Sequence, residues 1–243
     1  MVGLRVLNPS MRVRIFPPKH FYDINISMEI ILKTLVGSRA HGTSNNDSDF
    51  DYRGVFVHPT SDILSISGPK NQTTWIEGKN DDTAYEIQRF LFLALKCNPS
   101  VLEMFGAPVL EATDEGREAI KLFPYVWNSK DVFNAFRGYG ANQRKKYFED
   151  KDKKANKFLA AWMRTLFQAN YLFWSGDMLV DFSDTIIFDD LKEIRSGEFD
   201  RSEKLNKIFI LERELEKSYE DMEPKFANED KLNEFLLKVR KAH

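Results

Sequence analysis

The sequence predicts an α+β protein, in which a mixed sheet with helices is followed by an all-helical second half. Two short apolar runs rich in β-branched residues, IILKTLV from Ile30 and GVFVH from Gly54, predict strands. The loop SNNDS between them has the composition of a turn. From about Thr113 onward the apolar residues recur at helical spacing. We therefore expect a first domain over residues 28–110 and a helical domain over residues 111–243.

The bulk composition excludes several classes of protein. The chain has 243 residues, a formal net charge of −2 and one cysteine, Cys97. A single cysteine cannot form an intramolecular disulfide, and its place at the end of an apolar helix predicts that it is buried. No apolar run reaches the roughly 18 residues of a membrane span, so we expect no membrane partner. The near-neutral charge gives no global basic field. These features are typical of a cytoplasmic globular protein.

The first 27 residues show no clear hydrophobic period, and Met28 begins a much better segment. Val13-Arg14-Ile15 can be back-translated as a stretch that resembles the T-arm of a tRNA gene. One hypothesis is that residues 1–27 are an extension read from a tRNA gene upstream, with Met28 as the natural start. The alternative is an ordinary variable arm.

Capping residues and apolar periodicity predict the helices. A helix ends before Asn98-Pro99, because proline disfavours the helical conformation in the residue before it. Ser129 and Ser202 are predicted N-caps, and Gly176 is a C-terminal signal. The predicted helices cover residues 86–96, 100–105, 129–148, 156–174, about 202–222 and 229–241.

The chemistry-bearing stretch is VGSRAHGTSNNDSDFDYRG, which begins at Val36. If Ser48 to Tyr52 form a strand, Asp49 and Asp51 share one face about 6–7 Å apart at the backbone, and Phe50 points into the core. Carboxylates that close repel each other, and one or two Mg²⁺ ions offset the repulsion. Gly37 and Ser38 can hold phosphate oxygens through backbone and hydroxyl donors. The parts together predict two-metal phosphoryl or nucleotidyl transfer.

Three other interpretations compete for this stretch. GSRAHGTS fits the glycine spacing of a P-loop, but Thr43 stands where the phosphate-binding lysine is needed. A calcium loop starting at Asp47 would need glycine at Tyr52 and glutamate at His58. The third alternative is an Asx-rich turn with solvated carboxylates.

GSRAHG followed by SDFDYRGV resembles the nucleotidyltransferase superfamily of DNA polymerase β. The match is closest to predicted RNA-repair-associated nucleotidyltransferases of bacteria and bacteriophages, and it extends to YEIQRFLFLALKCNPSVLEMF, Arg164, SGDMLV and IRSGEF. The resemblance implies a polymerase β palm-like first domain and a third carboxylate from a later strand. Glu86 occupies the matching place, with Glu77 and Asp82 as fallback candidates. Relatives often carry a histidine where this chain has Ala161.

Basic residues supply candidate contacts to nucleotide or RNA. Arg39 and Arg53 flank the acidic pair and suit triphosphate, although Arg53 can instead pair with Asp51 or Asp47. His41 is expected to be a polar loop residue. Between residues 137 and 157 stand eight basic and three acidic residues, which predict contact with RNA or triphosphate or, alternatively, a solvated surface. The candidate contacts are Arg144, Lys145, Lys146 and Arg164.

The resulting hypothesis is a Mg²⁺- or Mn²⁺-dependent transfer of NMP from an NTP to an acceptor hydroxyl, with release of pyrophosphate. Asp49, Asp51 and Glu86 would hold the metal, and Gly37 and Ser38 the phosphates. RNA, such as a tRNA end or an RNA under repair, is the first choice of acceptor. The alternatives are nucleotidylation of a protein or small molecule, and an inactive module that binds nucleotide or RNA. The base (ATP among the candidates) and the oligomeric state are left open.

Overall fold

The computed structural model describes residues 29–68, 73–75, 82–149 and 154–243. Residues 1–27, Met28 and Glu77 therefore lie outside the described residues, and the hypothesis about the extension stays a hypothesis. The strands are β1 Glu29–Val36, β2 Asp51–Val57, β3 Thr73–Trp75, β4 Thr83–Glu86 and β5 Val109–Ala112. The helices are α1 Gly37–Ala40, α2 Thr60–Ile63, α3 Ile87–Leu95, α4 Pro99–Gly106, α5 Asp114–Ile120, α6 Phe123–Val126, α7 Ser129–Glu149, α8 Ala155–Ser175, α9 Phe188–Ser196, α10 Arg201–Asp221 and α11 Glu229–Ala242.

The described strands form one mixed sheet in the order β3-β4-β2-β1-β5. Strand β1 runs antiparallel to β2 and β5, and β2 runs parallel to β4. The pairing sets Val36 opposite Asp51, and Thr34 opposite Arg53. Because side chains alternate along a strand, Asp51, Arg53 and Val55 share the face that the helices cover, while Tyr52 and Phe56 lie on the other face. The predicted α+β class is confirmed.

Strand β2 begins at Asp51, so the prediction of a strand over Ser48 to Tyr52 is wrong in its first three residues. Phe50 is 53% exposed rather than in the core. Its ring stacks on Tyr52 and carries the Arg39 guanidinium 3.9 Å from its centroid. A cation on an aromatic face stabilises a surface ring that alternation alone would assign to the core.

Each of the six predicted helices is present, while two of the predicted caps are wrong. Helix α7 begins at Ser129, but the capping side chain is Asn128, whose Oδ1 accepts from the Asp131 amide at 2.8 Å. Helix α10 is capped by Asp200, two residues before the predicted Ser202. Carboxylate and amide oxygens are at least as good at this position as a hydroxyl, so the stronger neighbouring acceptor wins. Gly176 ends α8 with φ +78, as predicted.

The last helix returns to the sheet. Arg240 of α11 donates to Glu86 Oε1 at 2.6 Å, and the Thr60 amide donates to the carbonyl of His243 at 3.1 Å. Glu86 also caps α3, since its Oε2 accepts from the Gln88 amide at 2.8 Å. One buried apolar cluster runs from Ile31 in β1 through α8 to Val239 in α11. The division at residues 110 and 111 stays a prediction, and the two parts share this core.

Among the described residues, no helix combines the length and the apolar composition needed to cross a membrane.

Replacing Arg240 by methionine keeps much of the apolar stem but leaves the Glu86 carboxylate, which is 2% exposed, without its counter-ion. We expect the free energy of unfolding to fall by about 3–5 kcal/mol, the usual cost of removing one partner of a buried pair. Urea denaturation measures it. The double variant Glu86→Gln/Arg240→Met carries no buried charge at this place and should lose less than Arg240→Met alone. A double variant as unstable as the single one would contradict the ion-pair account.

Candidate active site

The Gly37-Ser38 turn and Asp51 meet where β1 ends and β2 begins. Gly37 has φ +71, a left-handed conformation that favours glycine. A Cβ at Gly37 would overlap the Asp51 carboxylate, with Oδ2 as the nearest atom. The antiparallel pairing of Val36 with Asp51 causes this approach, because it brings the residue after Val36 beside the strand start. The carboxylate is thus seated directly on the turn that the sequence assigned to phosphate.

The loop between α1 and β2 is held by Arg39. Its Nε and one terminal nitrogen both donate to the Ser48 carbonyl, at 3.0 and 2.6 Å. Asp47 and Asp49 are exposed, and Asp49 lies two residues before Asp51 and outside the strand. The triphosphate contact predicted for Arg39 stays a prediction; the structure gives this residue a role in shaping the loop.

Glu86 does not lie beside Asp51, so the structure does not bring these two predicted metal ligands together. In the parallel pairing of β2 with β4, Glu86 stands opposite Phe56, five residues along β2 from Asp51. Five residues span about 16 Å, and the odd number places the two carboxylates on opposite faces of the sheet. Both Glu86 oxygens are used, by Arg240 and by the α3 amide. These contacts give Glu86 a role in joining α3 and α11 to the sheet, and its predicted role as a metal ligand stays a prediction.

Asp82, a fallback candidate for the third carboxylate, lies at the end of the sheet where β2 begins with Asp51. Its Oδ1 accepts from the Tyr52 amide at 3.1 Å, next to Asp51 in the chain. Since strand amides lie in the plane of the sheet, the carboxylate sits at the sheet end. The residue is 1% exposed, and Oδ2 has no hydrogen-bond partner among the described residues. A buried carboxylate oxygen of this kind requires a proton, a cation or a donor.

A second buried carboxylate, Glu103 of α4, lies on the helix-covered side of the sheet. Its Oε1 is shared by His41 Nε2 at 2.6 Å, by a nitrogen of Arg164, and by Gln168 Nε2 at 3.2 Å. Arg53 approaches Oε2 at 3.8 Å and donates to the Ser100 carbonyl at 2.9 Å. One carboxylate thus joins the loop after Gly37, strand β2 and helix α8.

The cluster around Glu103 carries more positive than negative charge. Burial raises the pKa of Glu103, but Arg164, the contact with His41 and, to a smaller extent, Arg53 outweigh it and hold that pKa well below its usual range. Burial and the charge of Arg164 lower the pKa of His41, against the opposite effect of Glu103. His41 is therefore neutral at pH 7 and donates its Nε2 proton to the carboxylate. Two arginines and one carboxylate leave one net positive charge.

The basic residues predicted to contact RNA or triphosphate are dispersed. The Arg144 guanidinium lies 5.6 Å from the Trp162 and Phe209 ring centroids. Lys145 pairs with Glu149 at 3.9 Å, and Lys146 lies 5.6 Å from the Phe158 ring centroid. Arg164 alone of the four touches the Glu103 cluster. These roles stay predictions.

The donor chemistry at the sheet end fits a hard divalent cation. Asp51 begins β2 beside the Gly37-Ser38 turn, Asp82 accepts from the amide of the next residue in β2, and Asp49 lies on the loop before them. Carboxylates are ligands that Mg²⁺ accepts alongside substrate phosphates. Within the described ranges no three acidic, histidine or cysteine side chains already converge on one point.

Glu103 was missed by the sequence prediction, although NPSVLEMF was noted as a whole. Its signal was a glutamate inside an otherwise apolar helix, where a lone charge demands buried partners. His41 was expected to be an ordinary polar loop residue, and it is instead buried.

Comparisons with known proteins identify a family for the chain. A family model described as the RNA repair pathway DNA polymerase beta family matches residues 19–235. An uncharacterized 38.9 kDa protein in the nrdC-mobD intergenic region of Enterobacteria phage T4 is 33% identical over 89 residues. That match covers 33% of this chain and 26% of the phage protein, so the chain spans about a quarter of that relative. No solved structure matches the chain. The family match confirms the predicted resemblance.

Gly37→Ala tests the seating of Asp51, with Gly68→Ala as its control. Both glycines have positive φ, +71 and +60, so alanine adds about 1–2 kcal/mol of backbone strain at either. Nothing lies near a Cβ at Gly68, whereas a Cβ at Gly37 meets the carboxylate. Overpacking of that kind costs a further 1–3 kcal/mol or so. Denaturant unfolding should show the larger loss for Gly37→Ala; equal losses would argue against the contact.

His41 should make stability depend on pH. Its folded pKa lies below the ordinary value of 6.5, so between the two values the unfolded chain binds a proton that the folded chain does not. Stability therefore falls as the pH falls below about 7, with a slope of up to roughly 1.4 kcal/mol per pH unit from this group. Unfolding curves from pH 7 to 5 measure it, and His41→Gln should flatten the dependence. Parallel curves for the two proteins would disprove a neutral buried His41.

Proposed function

This chain belongs to the RNA repair pathway DNA polymerase beta family, and we propose that it is a nucleotidyltransferase that moves an NMP from an NTP to a hydroxyl of RNA. In the reaction the acceptor oxygen bonds to the α-phosphorus, and the bond from that phosphorus to the bridging oxygen breaks. Pyrophosphate leaves, and the acceptor hydroxyl gives up its proton.

The observation that carries the proposal is the contact between Asp51 and the Gly37-Ser38 turn. A phosphate group held by the turn would lie beside a carboxylate, a like-charged pair that is stable only with a cation between them. Glycine at residue 37 removes the side chain that would keep the two apart. The contact thus supports a site for a phosphate chain together with a divalent metal.

Three carboxylates share the work in this proposal. Asp51 and Asp49 hold Mg²⁺ or Mn²⁺, with Asp49 supplied by the exposed loop before β2. Asp82 takes the place that the sequence gave to Glu86, and its buried Oδ2 either completes the ligand set or accepts the proton of the attacking hydroxyl. When bound, the metal activates the acceptor oxygen and neutralises charge on the leaving pyrophosphate.

RNA is the proposed acceptor on the strength of the family description and of one surface. Lys145, Lys154 and Lys157 are exposed near the junction of α7 and α8. The exposed ring of Phe148 lies beside the Arg201 guanidinium, with 5.8 Å between that group and the ring centroid. Cations beside an open aromatic face are the combination that binds single-stranded nucleic acid by charge and stacking.

A transfer assay tests the proposal. The protein is incubated with Mg²⁺ or Mn²⁺, each α-labelled NTP in turn, and total RNA, a protein lysate or neither. We expect label on RNA with wild type, and a loss of about 10²-fold or more with Asp51→Asn or Asp82→Asn, since each removes a charge from the reacting centre. Glu86→Gln should retain activity, because Glu86 lies five residues along the sheet from Asp51 and both of its oxygens are already bonded.

The matched control is Asp62→Asn, an exposed carboxylate on α2 of the same part of the chain. It should behave as wild type. Label on protein would replace RNA by a protein acceptor, and label that stays on a small product would indicate a small acceptor. Binding of NTP with no transfer under any condition would leave a binding module and overturn the enzymatic proposal.

A further inference from the structure

Glu103 joins three elements of the fold through buried polar contacts. It comes from α4, His41 follows the Gly37-Ser38 turn, and Arg164 comes from α8. All three side chains are largely or fully buried, and the Glu103 residue is 5% exposed. Gln168 fixes the same oxygen from one turn further along α8 and also donates to the Leu179 carbonyl at 2.8 Å.

We infer that Glu103 is a positioning residue: it holds His41, and through His41 the loop from Gly37 to Thr43, in the conformation that receives the nucleotide's phosphates. The part that concerns the nucleotide rests on the proposed function. The part that concerns the loop rests on the contacts alone.

His41 makes several contacts that hold the loop from Gly37 to Thr43. The His41 amide donates to the Gly37 carbonyl at 3.0 Å, and the His41 carbonyl accepts from the Phe182 amide at 3.2 Å. Its ring packs edge-on against Phe182, with 5.9 Å between centroids. Gly42 then presses so closely on Asp181 and Ser183 that a Cβ there would overlap the Ser183 hydroxyl. The Gly37-Ser38 turn is therefore connected to the chain after α8 through His41, the residue that Glu103 binds.

Charge makes Glu103 hard to replace even by its own amide. Glutamine keeps the size and one acceptor, but it removes the anion that faces the largely buried guanidinium of Arg164 and the partly buried one of Arg53. One of the two guanidiniums, or the His41 ring, must then move towards water. The Gly37–Thr43 loop is the nearest element that can yield, since Arg164 sits in a long helix and Arg53 in a central strand.

Asp190→Asn is the matched control for the removal of a buried carboxylate charge. Asp190 of α9 is as buried as Glu103 and also binds two cations, Lys204 at 2.6 Å and Lys207 at 2.7 Å. Its partners Lys204 and Lys207 lie on α10, and both keep Glu203 as a second partner. Asp190→Asn should therefore cost no more stability than Glu103→Gln, and it should not disturb the loop.

The experiment has two readouts on the full chain. Hydrogen exchange followed by mass spectrometry reports peptides that cover residues 36–43. Calorimetry with Mg²⁺ and the α,β-methylene analogue of each NTP reports nucleotide affinity. For Glu103→Gln we expect at least tenfold faster exchange in the loop and at least tenfold weaker binding of whichever analogue wild type binds. Asp190→Asn should leave both unchanged.

Each result decides the inference. Loop exchange in Glu103→Gln equal to wild type overturns it, whatever the protein binds. Faster exchange with unchanged nucleotide affinity also overturns it, because the loop order would then not serve the phosphates. If wild type binds none of the four analogues, the proposed function and the nucleotide part of the inference fail together, and the exchange data decide the loop part alone. If Glu103→Gln does not fold, Glu103→Asp, which keeps the charge but shortens the reach, must show the same two effects.

Discussion

The buried carboxylate of Glu103 is the interaction on which the site depends. It stands where the helix-covered face of the sheet, the loop after Gly37 and helix α8 come together, and it supplies an anion to His41, Arg53 and Arg164. Removing one partner of such a group leaves a charge in a medium that cannot solvate it, at a cost of about 3–5 kcal/mol. The cluster is therefore a strict geometric constraint, and it fixes the Gly37-Ser38 turn relative to the helical half of the chain.

The second constraint is the end of the sheet. Strand β1 leads into the Gly37-Ser38 turn, β2 begins at Asp51, and β4 is preceded by Asp82. The turn and the two aspartates therefore lie at the same end of three neighbouring strands. The Glu103 cluster lies two residues further along β2, at Arg53. The net positive charge of that cluster is adjacent to the place where the proposal sets a triphosphate. A fixed positive group of this kind stabilises developing negative charge without reorganising during the reaction.

Local features were predictable from the sequence, and long-range ones were not. The contact between Gly37 and Asp51 follows from the antiparallel pairing of β1 with β2, which are consecutive in the chain. The sequence motif and the strand pairing therefore indicate the same end of the sheet. The sequence set Glu86 beside Asp51, and the structure does not. Alternation within β4 shows only which residues of β4 share a face; the pairing of β4 with β2 decides where that face lies relative to Asp51. Phe50 was misplaced because a cation–π contact with Arg39 competes with burial. The partners of Glu103 are 61 and 62 residues away in sequence, and no periodicity reports such a contact.

The most direct measurement is a crystal structure of the protein with Mn²⁺ and the α,β-methylene analogue of its preferred NTP, with anomalous data collected at the manganese edge. The account predicts an anomalous peak for a manganese ion bound to Asp51. The triphosphate should lie along the loop from Gly37 to Thr43, and Asp82 should lie within reach of the metal or of the attacking oxygen. A nucleotide bound elsewhere, or a triphosphate on the turn with manganese at other residues, would contradict it.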